Sequence, residues 1–372
     1  MRFTIKKNII ENTVDFLNNY VDSNDASVLN RCLFFEISSE ALNISTNNPA
    51  VSAKKTIFVD ESNLKLDSSG KVFINANIFR NIIKKFENEV TINVNNNIID
   101  IYEGKTKFTI AKLDNENQMQ LVDFNETSNK IEISSKKLEN VINEALVSTN
   151  SSVDKINNLI YKVINVKSNN DKLLTMVSTD GFRLSKAEIE IDSQVEIDIN
   201  VDSKILKKLV TKDAPKKVNL FFKDYKLGIS YENTIIQANL VDLKYLDISN
   251  VFERNYSKEI IIDKQELLNL INKTIFYVSD KIKRLSFNIS KEKIKTSYEV
   301  PEIGYADAET TNFEYEGEQF DIDVNYNFIK DAVSILDNGK IKIQISDKED
   351  QLLFTSLENN KNKQLITPMR RY

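Results

Sequence analysis

The chain has 372 residues, 41% of them hydrophobic and 28% charged, with a formal net charge of −5. That length allows two or three domains with cores of their own, and no apolar run approaches the ~18 residues of a membrane span. One cysteine, Cys32, excludes an intrachain disulfide; the absence of histidine and the small number of glycines remove the commonest general base, the commonest metal ligand and any phosphate-cradling loop, so no catalysis, metal or cofactor is expected.

Met1-Arg2-Phe3-Thr4-Ile5 alternates like a strand and lacks the apolar stretch of a signal peptide, which predicts a cytoplasmic protein. The stripe Ile10, Val14, Leu17 and Val21 predicts a helix behind it. Cys32, beside Leu33-Phe34-Phe35, reads as a buried structural thiol. A second helix starts in Ile74-Asn75-Ala76-Asn77-Ile78-Phe79. Asn75 suits the N-cap, since its side-chain oxygen accepts from amides of the first turn. Ile78 and Phe79, with Ile82 and Ile83, form the expected buried face. Alternation in Val90 to Val94, Ile99 to Tyr102 and Lys107 to Ile110 predicts half-buried strands.

The polar stretch Asn125 to Lys130 marks a border, and the same order then begins again. Ile131-Glu132-Ile133 is a strand, followed by a helix with Leu138, Ile142, Ala145 and Thr149 inward. Val201-Asp202-Ser203-Lys204-Ile205-Leu206 opens a helix with Leu209 and Val210 on its buried face, and Val218 to Phe222 is a strand. After Glu253 to Lys258 the order appears a third time. Ile260-Ile261-Ile262 leads to a helix with Leu267, Ile271, Thr274 and Val278. Val324-Asn325-Tyr326-Asn327-Phe328-Ile329 leads to one with Ala332 and Val333, and Ile341 to Ile345 alternates as a strand. Two helix patterns recurring in the same phase mean one unit written three times. The expected domains are 1–126, 127–255 and 256–372, docked closely because their borders lack Pro/Gly linker character.

Cations gather on the second helix of each copy: Arg80, Lys84 and Lys85, then Lys204, Lys207, Lys208 and Lys212, then Lys330. Arg80, Lys207 and Lys330 hold equivalent places in the repeat. A solvated face explains such charges. In a chain that is acidic overall, a basic surface offered to a polyanion explains them too.

Two motifs remain: Ser178-Thr179-Asp180-Gly181-Phe182-Arg183-Leu184-Ser185, a hairpin signal, and the tail Gln364-Leu365-Ile366-Thr367-Pro368-Met369-Arg370-Arg371-Tyr372. With the threefold repeat, they resemble the bacterial DNA polymerase III beta subunit, the sliding clamp family. The resemblance covers the whole chain. It implies an α+β fold of three repeated domains, each an antiparallel sheet with two helices, forming half of a closed ring. The ring would be a head-to-tail homodimer around duplex DNA, without sequence readout. Its partners would be the polymerase III catalytic subunit, the clamp loader and other clamp-motif proteins, with no membrane involved.

The resemblance also implies sites. Leu159, Thr179, Gly181, Phe182, Arg183 and Leu184, then Leu246, Asn250 and Val251, then Leu365, Ile366, Pro368, Met369 and Arg370 would line a pocket for a short partner peptide. Arg183 and Arg370 would guide its polar groups. Leu246 stands where the family usually has proline, Asn250 where it has arginine, and Phe182 where histidine is frequent. Arg80, Lys84, Lys204, Lys207, Lys208 and Lys330 would face DNA, whereas the loop Val21 to Asp25 contains no cation. Lys105, Lys107, Phe108 and Ile110 would meet Tyr277, Val278, Glu299 and Glu302 of a second copy. A repetitive adhesion scaffold would instead carry a secretion signal, and a carboxylate hydrolase a deep pocket with two facing carboxyl groups.

Overall fold

The structure, a computed structural model, describes residues 1–60, 62–113, 122–124, 130–149, 158–276 and 283–370. In the first third, β1 (Arg2–Lys6) runs directly into α1 (Lys7–Asn18). Then come β2 (Cys32–Ile37), β3 (Ala41–Thr46), β4 (Val51–Phe58), β5 (Leu64–Ser68), β6 (Gly70–Asn75), α2 (Ala76–Ile83), β7 (Glu89–Asn95), β8 (Ile98–Glu103) and β9 (Thr106–Ala111). The middle third has β10 (Lys130–Ser134), α3 (Ser135–Leu146), the long β11 (Val163–Thr179) and β12 (Arg183–Asp202), α4 (Ser203–Leu209), β13 (Lys217–Lys223), β14 (Lys226–Tyr231) and β15 (Thr234–Asn239). The last third has β16 (Tyr256–Asp263), α5 (Lys264–Thr274), β17 (Arg284–Ile289), β18 (Ile294–Val300), β19 (Gly304–Thr310), β20 (Phe313–Tyr315), β21 (Phe320–Asn325), α6 (Tyr326–Ile335), β22 (Lys340–Ser346), β23 (Leu352–Ser356) and β24 (Asn362–Ile366). Strand, helix, strands, helix and three strands thus recur three times in an α+β fold. All described strand pairs are antiparallel.

The repeated helix starts are built as their residues dictate. Asn75 Oδ1 accepts from the Ile78 amide at 3.0 Å. Asp202 Oδ1 accepts from Lys204 and Ile205 at 2.9 and 3.1 Å, and Asn325 Oδ1 from Asn327 at 3.0 Å. In each case a strand's last residue caps the helix it becomes, satisfying amides that have no intrahelical partner. The expected buried faces need one correction. Ile78 is 49% exposed, while Phe79, Ile82 and Ile83 are buried. Neighbouring helix residues point about 100° apart, so only the second member of each leading pair is fully buried. Ile329 with Ala332 and Val333, and Leu206 with Leu209, repeat that geometry. Val21 and Thr149 fall beyond the ends of α1 and α3, and Val278 lies outside the described residues. Tyr20 continues the α1 face in place of Val21; it is buried, and its hydroxyl donates to the Lys208 carbonyl at 3.0 Å. Cys32 is buried, donates to the Val28 carbonyl at 3.2 Å, and has its thiol pushed up to about 11 by burial, which leaves it unreactive.

The chain forms two compact units, Met1–Ser135 with Lys208–Leu240, and Lys136–Lys207 with Val241–Tyr372. The middle third is divided between them. In the first unit, a five-stranded sheet is ordered β5-β1-β7-β8-β9 and an eight-stranded sheet β10-β13-β14-β15-β4-β3-β2-β6. The pair β4·β15 carries this second sheet from the first third into the middle third. In the second unit, the seven-stranded sheet is β11-β12-β24-β23-β22-β16-β20 and the four-stranded sheet β19-β18-β17-β21. Here β12·β24 joins the middle third to the last. The border segment 125–129 lies outside the described residues.

Gly228 shows how tightly the first unit is packed. It lies opposite Phe221 across the β13·β14 ladder, and a Cβ built on it would overlap that ring. Gly228→Ala is expected to lower unfolding free energy by about 1–3 kcal/mol through overpacking. Urea denaturation of the full chain measures this, and an unchanged midpoint contradicts it.

Candidate functional site

The hairpin motif and the tail come together in the second unit. At the β11·β12 turn, Thr179 Oγ1 accepts from the Gly181 amide at 3.1 Å and donates to the Arg183 carbonyl at 2.7 Å. The Asp180 carboxylate accepts from the amides of Phe182 and Arg183 at 3.0 and 3.1 Å. Gly181 has φ +89°, a conformation that glycine adopts without strain. An added Cβ would also meet the Tyr161 hydroxyl at 3.2 Å. This turn leaves Phe182 59% exposed at its tip.

The tail is tied to that turn along the backbone. β24 pairs with β12 so that Ile366 lies opposite Arg183 and Leu365 opposite Leu184. The Thr367 amide and hydroxyl both donate to the Phe182 carbonyl, at 2.9 and 2.8 Å. The Met369 amide donates to the Asp323 carbonyl at 2.7 Å, and Arg284 holds the Arg370 carbonyl at 3.1 Å. Pro368, Met369 and Arg370 line one side of a groove of about 370 Å³. The far side of that groove carries Asp321, Asp323, Glu349 and Asp350. The hairpin and tail strands also share an apolar cluster of Val177, Leu184, Leu353 and Leu365, with Tyr245, Ile248, Val251, Phe252 and Tyr256 packed on it. Leu159, in the turn Leu159–Lys162, and Leu246 are 57% and 50% exposed, and Asn250 is exposed. The unit thus has exposed apolar side chains at Leu159, Phe182 and Leu246 and an apolar cluster shared by the hairpin and tail strands, features suited to small hydrophobic anchors.

Arg183 departs from its expected role. Its Nε meets Asp180 at 2.9 Å and its Nη1 meets Asp331 of α6 at 2.8 Å. Its guanidinium lies 4.5 Å from the centre of the Phe328 ring. It fastens the hairpin to α6 and does not reach out to guide a ligand, whereas Arg370 is exposed. Phe328, Asp331, Tyr161 and Tyr245 are the supporting residues that sequence reasoning missed. Phe328 reads there as one more apolar helix residue, and no local pattern links it to Arg183.

Behind the tail, Gln364 and Ser185 are buried and bonded at 2.6 Å, Ser185 reaches Ser148 at 2.7 Å, and the Gln364 amide donates to the Glu144 carbonyl at 3.1 Å. Burial first, and then the charge of Asp337, raise the Glu144 carboxyl to about 7.

The cations fall into two classes. In the first unit, Arg80 meets Asp15 of α1 at 2.5 Å, Lys84 lies 3.9 Å from the same carboxylate, and Lys208 donates to the Asn19 carbonyl. In the second unit, Lys204 and Lys207 are exposed with no ion pair among the described residues, and Lys330 is half-buried.

Two sheet edges are also notable. β9 ends the five-stranded sheet and carries Lys107, Phe108 and Ile110, with Lys105 in the turn just before it. Phe108 is half-buried against Phe86, edge-on at 5.8 Å, and Lys107 meets Asp100 at 2.9 Å. β19 ends the four-stranded sheet, near exposed Glu299, Glu302, Ile303 and Tyr305. Tyr277 and Val278 lie outside the described residues.

Residues 1–123, 132–247 and 249–370 match the N-terminal, central and C-terminal domains of the DNA polymerase III beta subunit. The chain is 24% identical to a beta sliding clamp of Mycoplasmopsis pulmonis over 97% of this chain and 96% of that one. It is 23% identical to the beta sliding clamp of Bacillus subtilis, each covered in full. A crystal structure of the Bacillus subtilis DNA polymerase sliding clamp superposes with a TM-score of 0.92 at 22% identity, and one of the Pseudomonas aeruginosa DNA polymerase III subunit beta with 0.90 at 20%, both over 100% of each chain.

The network behind the tail sets a pH dependence. A carboxyl whose folded pKa lies above its unfolded value binds more protons when folded, so stability falls as pH rises between the two. For Glu144 that window runs from the ordinary glutamate range up to about 7. Thermal melts are expected to lose stability from pH 5 to pH 8, and Glu144→Gln to reduce that loss. A variant with the wild-type slope contradicts the assignment.

Proposed function

We propose, for a chain that belongs to the DNA polymerase III beta subunit family of sliding clamps, that two copies close head to tail into a ring around duplex DNA. The chain is a DNA sliding clamp, and tethering a polymerase to its template needs position and not chemistry. In this reading the protein is a non-enzymatic, cytoplasmic processivity factor. The polymerase III catalytic subunit, the clamp loader and other clamp-motif proteins would dock in the pocket built by the hairpin and tail.

The observation that carries the ring is the order of the strand pairs. The last strand of the middle third, β15, pairs with β4 of the first third, and the last strand of the final third, β24, pairs with β12 of the middle third. Continuing the series, β9, the last strand of the first third, would pair with β19, the counterpart of β4 in the final third. Among the described residues, each has one neighbour in its sheet. A second copy would supply the mate, and applying the operation twice closes the ring with both edges satisfied. Lys105 and Lys107 on one edge, with Glu299 and Glu302 beside the other, would favour this orientation.

DNA would be held by charge alone. Lys204 and Lys207 are exposed cations on a regular helix face, suited to phosphates and unable to read bases. Such contacts are weak, independent of sequence and sensitive to salt, as sliding requires.

Two experiments test this reading. Phe108→Asp would place a charge in the proposed seam without a partner. Sedimentation should find the wild type dimeric and the variant shifted toward monomer; a fully dimeric variant would falsify the seam. Replacing Lys204, Lys207 and Lys208 with Ala should weaken binding alike for unrelated duplexes and flatten its salt dependence, by about 0.9 in slope for each phosphate no longer neutralised. An unchanged slope returns these lysines to a solvated face.

A further inference from the structure

The outward face of the seven-stranded sheet in the second unit carries a groove of about 450 Å³ that the pocket above does not use. Its lining includes Phe252, Leu353, Arg254, Lys342 and Lys363, with Glu358 as its one carboxylate. Arg254 meets Asp350 at 2.7 Å and Lys342 lies 3.3 Å from Glu259, and neither of these carboxylates lines the groove. Lys363 has no ion pair among the described residues. Its ammonium lies 5.9 Å from the centre of the Phe252 ring, with Lys186 at the same distance from that ring. That is near the outer limit of a cation–π contact, so the ring holds Lys363 only weakly. The groove is therefore lined by three cations and one anion in a chain that is acidic overall.

The groove shares its apolar base with the hairpin and tail strands of the candidate pocket. Phe252, Tyr256 and Leu353 line it, and they belong to the same apolar cluster as Leu184, Leu365 and Val251. A peptide anchored over Leu184 and Leu365 would have this basic surface as the next stretch of its path. We propose that the groove receives an acidic extension of the partner segment whose apolar anchors fill the pocket. The extension rests on the pocket reading above. Its charges would tune affinity among partners, since exposed complementary charges add specificity and encounter rate more than depth of binding.

The test is a fluorescence anisotropy titration of the full chain with three synthetic peptides. One carries a leucine and a phenylalanine anchor alone, one has four glutamates appended, and one has four lysines. The glutamate peptide should bind about fivefold tighter than the anchor peptide at low salt, as two exposed ion pairs provide. The lysine peptide should show no gain. The glutamate advantage should vanish at high salt and in the double variant Lys342→Gln, Lys363→Gln, which should keep wild-type affinity for the anchor peptide and a wild-type melt. Equal binding of the anchor and glutamate peptides overturns the proposal, as does a gain that survives both substitutions. An anchor peptide that fails to bind, or that binds a chain lacking residues 367–372 unchanged, overturns the pocket reading and this extension with it. An anchor peptide that binds wild type, fails to bind after that deletion and gains nothing from glutamates overturns the extension alone.

Discussion

A β-strand at the edge of a sheet exposes a row of backbone donors and acceptors, and satisfying those rows organises this protein. Unpaired backbone groups are costly when buried and invite foreign strands when exposed. The chain meets the constraint by letting the last strand of one repeat complete the sheet of its neighbour. β15 does so on β4 and β24 on β12. The repeats are therefore not the compact units: strand pairing across their borders divides the middle third between two bodies.

The candidate pocket depends on the second of these seams. The hairpin turn and the tail lie far apart in the chain, yet the β12·β24 ladder places Leu184 opposite Leu365. Hydrogen bonds from Thr367 to the Phe182 carbonyl then fix the tail to the turn. Arg183 closes the arrangement by tying Asp180 to Asp331 of α6. A planar guanidinium that makes two ion pairs and stacks on a ring is not replaceable by lysine. Anchors would thus meet a preformed surface, which lowers the ordering cost of binding.

Electrostatics acts on a second level. Many of the cations are matched locally, as Arg80 is by Asp15, and exposed pairs of that kind stabilise little. What distinguishes Lys204, Lys207 and Lys363 is that no carboxylate pairs with them among the described residues. Such charges remain available to phosphates or to acidic side chains of a partner. A molecule with net charge −5 can therefore still present local basic surfaces.

What was legible in the sequence is what physical chemistry decides within a turn or along a single strand. Asn75, Asp202 and Asn325 cap their helices because a short polar side chain reaches amides two or three residues ahead. The strands around Phe3 and Ile131 follow from alternation and the one around Ile260 from a short apolar run, and Cys32 is buried as its apolar neighbours indicate. Local pattern has its own limits. Asp263 caps α5 although its apolar pair, Leu267 and Leu268, comes one residue later than in the repeated helix starts, and the adjacency of Ile78 and Phe79 does not reveal which one turns inward. The partners were decided by tertiary structure alone. Arg183 finds Asp331 and Phe328, Gln364 finds Ser185, and β24 finds β12 over separations of more than a hundred residues. The physical reason is that periodicity specifies which face of an element is apolar. Which other element covers that face depends on the packing and hydrogen bonding of the whole chain.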